Sequence, residues 1–356
     1  MKIIHTADLH LDSKLTTNLD KEKAKHRKYE LLYTFERLID YAEKEKVKVI
    51  IIAGDFFDTK NSTKRSMGFI VQKMKWAANI DFLYVPGNHD ENSFIDYIKD
   101  KELTNFKVFN DKWSSFTYGD VVISGIINNV ATHAYLYSSL NLDPSKKNIV
   151  VMHGELNNYG KNDESINLNK LMNKNIDYLA LGHIHYYNTG RIDARGVYAY
   201  PGCLEGRGFD EDGEKGFILL DINEKVNFQF VPFARRTLRV IELDITSFTS
   251  WNEIYQKVID LTSSISKNDM IKIVLTGTYT LELDKDINLL TKRINNNFYF
   301  GKVEDKSKLH LDPKTYVADK SLKGEFIRTV LNSKLDDNMK NDIIVLGVDA
   351  LEKEEL

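Results

Sequence analysis

The feature that most restricts this chain is a series of short, almost uniformly apolar runs, each stopped by glycine or a polar residue. "KIIHTAD", "VKVIIIAGD", "DFLYVPGNH", "VVISGI", "NIVVMHG", "IDYLALGH", "GVYAYPG" and "GFILLDI" follow one another as far as about residue 233. Many are rich in Val and Ile, and they lack polar alternation, so they read as strands covered on both faces. Between the first two, Leu31, Phe35, Leu38, Ile39 and Ala42 recur at helical spacing, which predicts a helix with one buried face. Strand, helix, strand indicates an α/β core. Fewer helices separate the later strands, so part of the sheet is expected to be antiparallel, giving a layered α+β sandwich rather than one doubly wound sheet.

At 356 residues the chain exceeds the usual single-domain size. The pattern changes after "VPFARRTLRV": a strand, a helix around 251–265, the strand "MIKIVLTG", a helix around 286–297 and a further strand read as a small α+β domain. The expected division is 1–236, 237–310 and a helical tail, 311–356. In the tail, Leu322, Phe326, Ile327 and Val330 form one apolar helical face and Met339, Ile343, Ile344 and Leu346 another. These faces pack either on the chain's own second domain or on a partner protein.

Composition narrows the function classes. The chain is 42% apolar and 28% charged, and its longest purely apolar run, Val49 to Ala53, is far too short to cross a membrane. The start, "MKIIHTADLH", reads as a first strand rather than a leader, so a cytoplasmic protein is expected. A single cysteine, Cys203, excludes an intrachain disulfide and a cysteine zinc site. The net charge of -3 argues against a simple DNA-coating protein. Local groups such as Lys60/Lys64/Arg65 or Arg191/Arg195/Arg207 would either meet phosphates or form ordinary solvated surface.

The polar residues where the runs stop carry the chemistry. The first run ends in Asp8-Leu9-His10, the second in Gly54-Asp55-Phe56-Phe57-Asp58 and the third in Gly87-Asn88-His89-Asp90. Two later runs end in His153-Gly154 and in Gly182-His183-Ile184-His185, so five of the nine histidines stand at such ends. In extended chain, residues two apart face the same way, which pairs Asp8 with His10 and His183 with His185. Any one of these ends alone reads as a polar turn, but five together read as a ligand set, placed where open α/β sheets put their sites. Carboxylate, imidazole and amide donors without thiolate suit Mn, Fe or Zn. Seven candidate ligands, Asp8, His10, Asp55, Asn88, His153, His183 and His185, are too many for one ion and suit two, about 3.5–4 Å apart and sharing a carboxylate.

The ordered set "DLH", "GDFFD", "GNHDE", "MHGE" and "GHIH" resembles the signature of the calcineurin-like metallophosphoesterases, over roughly residues 1–235. The segment "YAYPGCLEGRGFDEDGEKGFILLDI" is similar to that of the bacterial double-strand-break repair nucleases within that family. The resemblance implies a β-sandwich flanked by helices, a capping domain and C-terminal ATPase-binding helices. It implies that Asp8, His10, Asp55 and His185 hold one divalent ion and Asp55, Asn88, His153 and His183 the other, with manganese the first choice and magnesium the poorest. His89 would then contact the scissile phosphate and protonate the leaving oxygen, and Asp90 would orient the His89 ring. Asp58 stands where archaeal and eukaryotic relatives usually carry a histidine, and would contact substrate or support the site. DNA, an SMC-family ATPase and a second copy of the chain, in a heterotetramer, are the implied partners. Two other readings stay open: a stand-alone phosphoesterase acting on nucleotides or phosphoproteins, and a scaffold of the same fold without catalysis.

Overall fold

The computed structural model describes residues 1–15, 19–58, 62–87, 93–157, 165–280, 283–310 and 319–352. These divide into two compact units, Met1–Leu238 and Arg239–Leu356.

The first unit opens with β1 (Lys2–Thr6), α1 (Lys21–Lys44), β2 (Val49–Ala53), α2 (Lys64–Trp76), β3 (Asp81–Val85), α3 (Ser93–Ile98) and β4 (Phe106–Val108). Next come β5 (Ser114–Tyr118), β6 (Val121–Gly125), β7 (Lys147–His153) and the short parallel pair β8 (Glu155–Leu156) and β9 (Ser165–Ile166). It closes with β10 (Tyr178–Gly182), β11 (Asn188–Arg191), β12 (Val197–Tyr200), β13 (Gly216–Ile222) and β14 (Val226–Pro232). One six-stranded sheet has the order β14-β13-β1-β2-β3-β4 and the other β11-β12-β10-β7-β6-β5. In both, parallel central strands meet antiparallel edges, such as β1 with β13 and β11 with β12.

Burial follows from the two-residue period of a strand. On one face of β1 and β2, Ile4, Ile50 and Ile52 pack under α1 and α2, against Leu31, Phe35, Leu38, Ile39 and Ala42 of the predicted helix face. On the other face, Ile3, Val49, Ile51 and Ala53 join Ile123, Ile149, Val151 and Ala180 of the second sheet. The outer face of the second sheet, Val150, Met152, Leu179 and Leu181, is covered by Ile126, Leu136 and Leu140. Every residue of β2 and of β10 is buried, which is why those runs carry no polar alternation. The layered α/β sandwich expected from the sequence is the architecture found.

The second unit holds β15 (Leu238–Asp244), α4 (Trp251–Thr262), β16 (Met270–Thr276), β17 (Thr278–Tyr279), α5 (Ile287–Asn297), β18 (Phe300–Asp305), β19 (Lys308–Leu309), α6 (Leu322–Leu331) and α7 (Asp337–Glu352). Strands β15, β16 and β18 form a sheet whose β16 and β18 run parallel. Helix α4 begins with a capping box, the Ser250 hydroxyl accepting from Glu253 N–H while the Glu253 carboxylate accepts from Ser250 N–H. In the tail, Ile327, Val330, Ile344 and Val348 pack with Leu309 of the same unit. Met339 and Leu346 do not join them: they are 48% and 70% exposed, because the buried stripe of α7 runs through Ile344 and Val348 instead. No described helix is long and apolar enough to cross a membrane.

Candidate metal centre

Parallel pairing puts the carboxyl ends of β1 and β2 side by side, and likewise those of β7 and β10, where His153 is in register with Gly182. Beyond the strands the backbone is clipped together, with Asp8 N–H donating to Gly54 O at 3.1 Å and His10 N–H to Asp55 O at 2.9 Å. Asp8, His10, Asp55 and His183 all take positive φ, at 50°, 41°, 49° and 99°. Asp and His enter this left-handed region more readily than most side chains, and the hydrogen-bonded loops beyond the strands hold them there at a cost in strain typical of functional turns.

The result is a convergence of three buried side chains and one partly exposed one. One ligand atom each of Asp8, His10, Asp55 and His185 lies within 4.8 Å of all the others. His10 Nε2 is 3.3 Å from His185 Nε2 and 3.5 Å from Asp55 Oδ2. Asp8 also accepts from His183 N–H, at 2.9 and 3.0 Å to its two oxygens. His153 completes the neighbourhood, its Nε2 3.7 Å from Asp55 Oδ2 and its ring edge-on to His183 at 5.3 Å between centroids.

Of the seven expected ligands, six are described and gather here; four of them form the tight group. Asn88, His89 and Asp90 lie outside the described residues, as does Lys60. Asp58 is half-buried, with its N–H donating to Leu11 O at 2.9 Å, and is not one of the four converging residues. Of the basic residues noted in the sequence, Arg195 binds Asp177 and the carbonyls of Pro144 and Lys146, while Arg207 turns inward to Glu211.

Glu211 is the site residue that the strand-end pattern misses. Its Oε1 lies 2.8 Å from His185 Nδ1 and accepts from Arg207 at 2.5 Å. Burial pushes this carboxyl up, but the hydrogen bonds from His185 and Arg207 and the Arg207 charge outweigh burial and hold it well below the usual carboxylate range. An ionised carboxylate only accepts, so His185 Nδ1 carries the proton and Nε2 turns its lone pair toward His10. His153 is set the same way by the Ala53 carbonyl, 3.0 Å from Nδ1, leaving Nε2 to face Asp55. A carboxylate or carbonyl behind each imidazole is the usual support for a metal-ligating histidine.

The donor set fits divalent cations. Asp8 and Asp55 are 0% and 1% exposed, and two like-charged buried carboxylates require compensating positive charge. The surrounding backbone leaves the room: a Cβ on Gly54 would lie 1.9 Å from His153 Nδ1, and one on Gly87 2.2 Å from Asp55 Oδ1.

Residues 1–187, more than half of the chain, match the family model described as calcineurin-like phosphoesterase. The chain belongs to that family and is a metal-dependent phosphoester hydrolase. It is similar to the "Uncharacterized metallophosphoesterase YhaO" of Bacillus subtilis, with 26% identity over 301 residues, 78% of this chain and 72% of the relative. It is also similar to SbcD, a subunit of the SbcCD nuclease, of Staphylococcus epidermidis, with 27% identity over 287 residues, 68% of this chain and 73% of the relative. The DNA double-strand break repair protein Mre11 of Sulfurisphaera tokodaii is 26% identical over 315 residues, 83% of this chain and 78% of the relative.

Proposed function

We propose that this chain is a DNA nuclease that uses two divalent ions, with manganese the favoured metal, and works beside an SbcC-like SMC-family ATPase. The observation that carries the hydrolytic part is the convergence of the buried Asp8, His10 and Asp55 with the partly exposed His185. The DNA part is supported by relatives named as a nuclease subunit and as a break-repair protein, each matched along more than two thirds of both chains.

In this reading Asp8, His10, Asp55 and His185 hold one ion, and Asp55, Asn88, His153 and His183 the other. Bound there, the ions supply activation of water and neutralisation of charge on the phosphoryl oxygens. The chain's own residues do the rest. Glu211 and the Ala53 carbonyl hold His185 and His153 in the ligating tautomer. His89 donates the proton that the leaving oxygen takes, Asp90 orients that ring, and Asp58 either contacts substrate or supports the site. The exposed Met339 and Leu346 side chains of α7 are suited to docking on the ATPase, and a second copy of the chain completes the assembly.

The test is degradation of linear duplex, hairpin and single-stranded DNA with Mn²⁺, with bis-p-nitrophenyl phosphate alongside and His89→Ala as control. The expected outcome is DNA degradation that falls about 10²–10⁴-fold in the variant while metal binding persists. Cleavage of the small diester with every DNA left intact favours the stand-alone phosphoesterase instead.

A further inference from the structure

Between α1 and α2 lies a cavity of about 420 Å³ that the proposed chemistry does not use. Three rings, Tyr29, Tyr33 and Phe69, and three cations, Lys25, Lys28 and Arg65, line it, and no carboxylate is among the described lining residues. Tyr33 meets Phe69 edge-on at 5.8 Å and lies 6.5 Å from Tyr29 between centroids, so the rings form one bent wall. Tyr33 remains 47% exposed, and Lys25 and Arg65 are exposed as well. Lys28 is drawn inward, its Nζ 3.2 Å from the buried Asp12 carboxylate. Asp12 also accepts from Thr63 N–H at 2.6 Å and from the Ser66 hydroxyl at 2.8 Å, anchoring two more lining residues.

Rings and cations together select the occupant. A neutral aliphatic ligand would leave the cations without a counter-charge, and inorganic phosphate would leave the rings without a partner. A planar base joined to a phosphate satisfies both, and the volume falls within the roughly 300–1,000 Å³ of ordinary small-molecule sites. With a net charge of -3 for the whole chain, this basic mouth is a local feature rather than part of a general positive field.

We propose that this cavity binds a nucleotide, its base against Tyr33 and Phe69 and its phosphate at Lys25 and Arg65. A free nucleotide and the unpaired end of a nucleic-acid strand present the same chemistry. If the nuclease reading holds, the second source places a strand end close to the metal loop, since Asp12 is two residues beyond His10.

The experiment uses the full chain in EDTA, so that binding is read without cleavage, with dAMP and a short terminally phosphorylated single strand as probes. Tyr33→Ala is expected to weaken binding about tenfold, the lower part of the range for one stacked base. Lys25→Gln combined with Arg65→Gln is expected to reduce the salt dependence of strand binding by about 0.7 in log–log slope for each cation removed. Both variants should keep wild-type Mn²⁺-dependent hydrolysis of bis-p-nitrophenyl phosphate, which reports an intact fold. Variant-sensitive binding of dAMP assigns the pocket to free nucleotides, and sensitivity confined to the strand assigns it to strand ends. Wild-type binding of neither probe, or variants that bind both as the wild type does, overturns the proposal. DNA degradation by the wild type is scored separately, so the nuclease reading stands or falls on its own.

Discussion

At the scale of single residues, the metal centre divides into ligands that a sequence displays and supports that it conceals. Asp8, His10, Asp55, His153, His183 and His185 are visible because each stands at the carboxyl end of an apolar central strand, where a polar residue is conspicuous. Glu211 is not. It lies 26 positions beyond His185 in an acidic, glycine-rich stretch, and nothing in its neighbours distinguishes it from Asp210 or Glu214. Its role depends on a contact made only after folding. Glu211→Gln keeps the shape but removes the charge that fixes the His185 tautomer, so metal affinity should fall about 10–100-fold. Calorimetric titration of Mn²⁺ into the purified protein measures this, and an unchanged affinity would reduce Glu211 to a packing residue.

At the scale of elements, helix α1 shows how an amphipathic pattern can be read correctly and still leave out what anchors it. Its apolar face lies against the sheet as the spacing predicts, but the helix also carries Arg27, Glu30 and Thr34 into the interior. Arg27 donates to Glu30 at 2.5 Å and to Gly206 O at 2.6 Å, Arg236 donates to Glu30 at 2.6 Å, and Thr34 donates to Glu205 at 2.8 Å. Residues far apart in sequence thus pin α1 to the segment that continues into Arg207 and Glu211. Because Arg27 is 1% exposed, Arg27→Ala would leave the buried Glu205 without its ion-pair partner and should cost about 3–5 kcal/mol, read as a lower urea midpoint. A loss below about 1 kcal/mol, the level of exposed pairs, would mean that the network is dispensable. The edge strands were harder to foresee for another reason. β5, β11 and β14 alternate half-buried and exposed residues, so their sequences carry less apolar signal than the two-sided centre of either sheet.

At the scale of the whole first unit, the two sheets are joined across their shared core by a histidine outside the metal motifs. His5 on β1 is fully buried, with Nδ1 2.9 Å from the Tyr178 hydroxyl and Nε2 3.2 Å from Leu181 O, both on β10 of the opposite sheet. A carbonyl only accepts, so Nε2 carries the proton and Nδ1 accepts from Tyr178, a neutral imidazole with both nitrogens used. Burial lowers its pKa from 6.5 to about 3, with the Leu181 carbonyl opposing only in part. Between those two values the unfolded chain binds a proton that the folded chain refuses. Stability therefore rises with pH across that window: the contribution is fully present above about 6.5 and is lost as pH falls toward 3, by about 1.4 kcal/mol per pH unit. Gln at this position offers one acceptor and one donor without titrating. In urea melts of the metal-free protein at a series of pH values, His5→Gln should flatten the fall in stability between pH 6.5 and 3 relative to the wild type. The rest of the chain is common to both proteins, so the difference between the two curves reports His5. Parallel curves would show that this ring already takes up its proton in the folded sandwich.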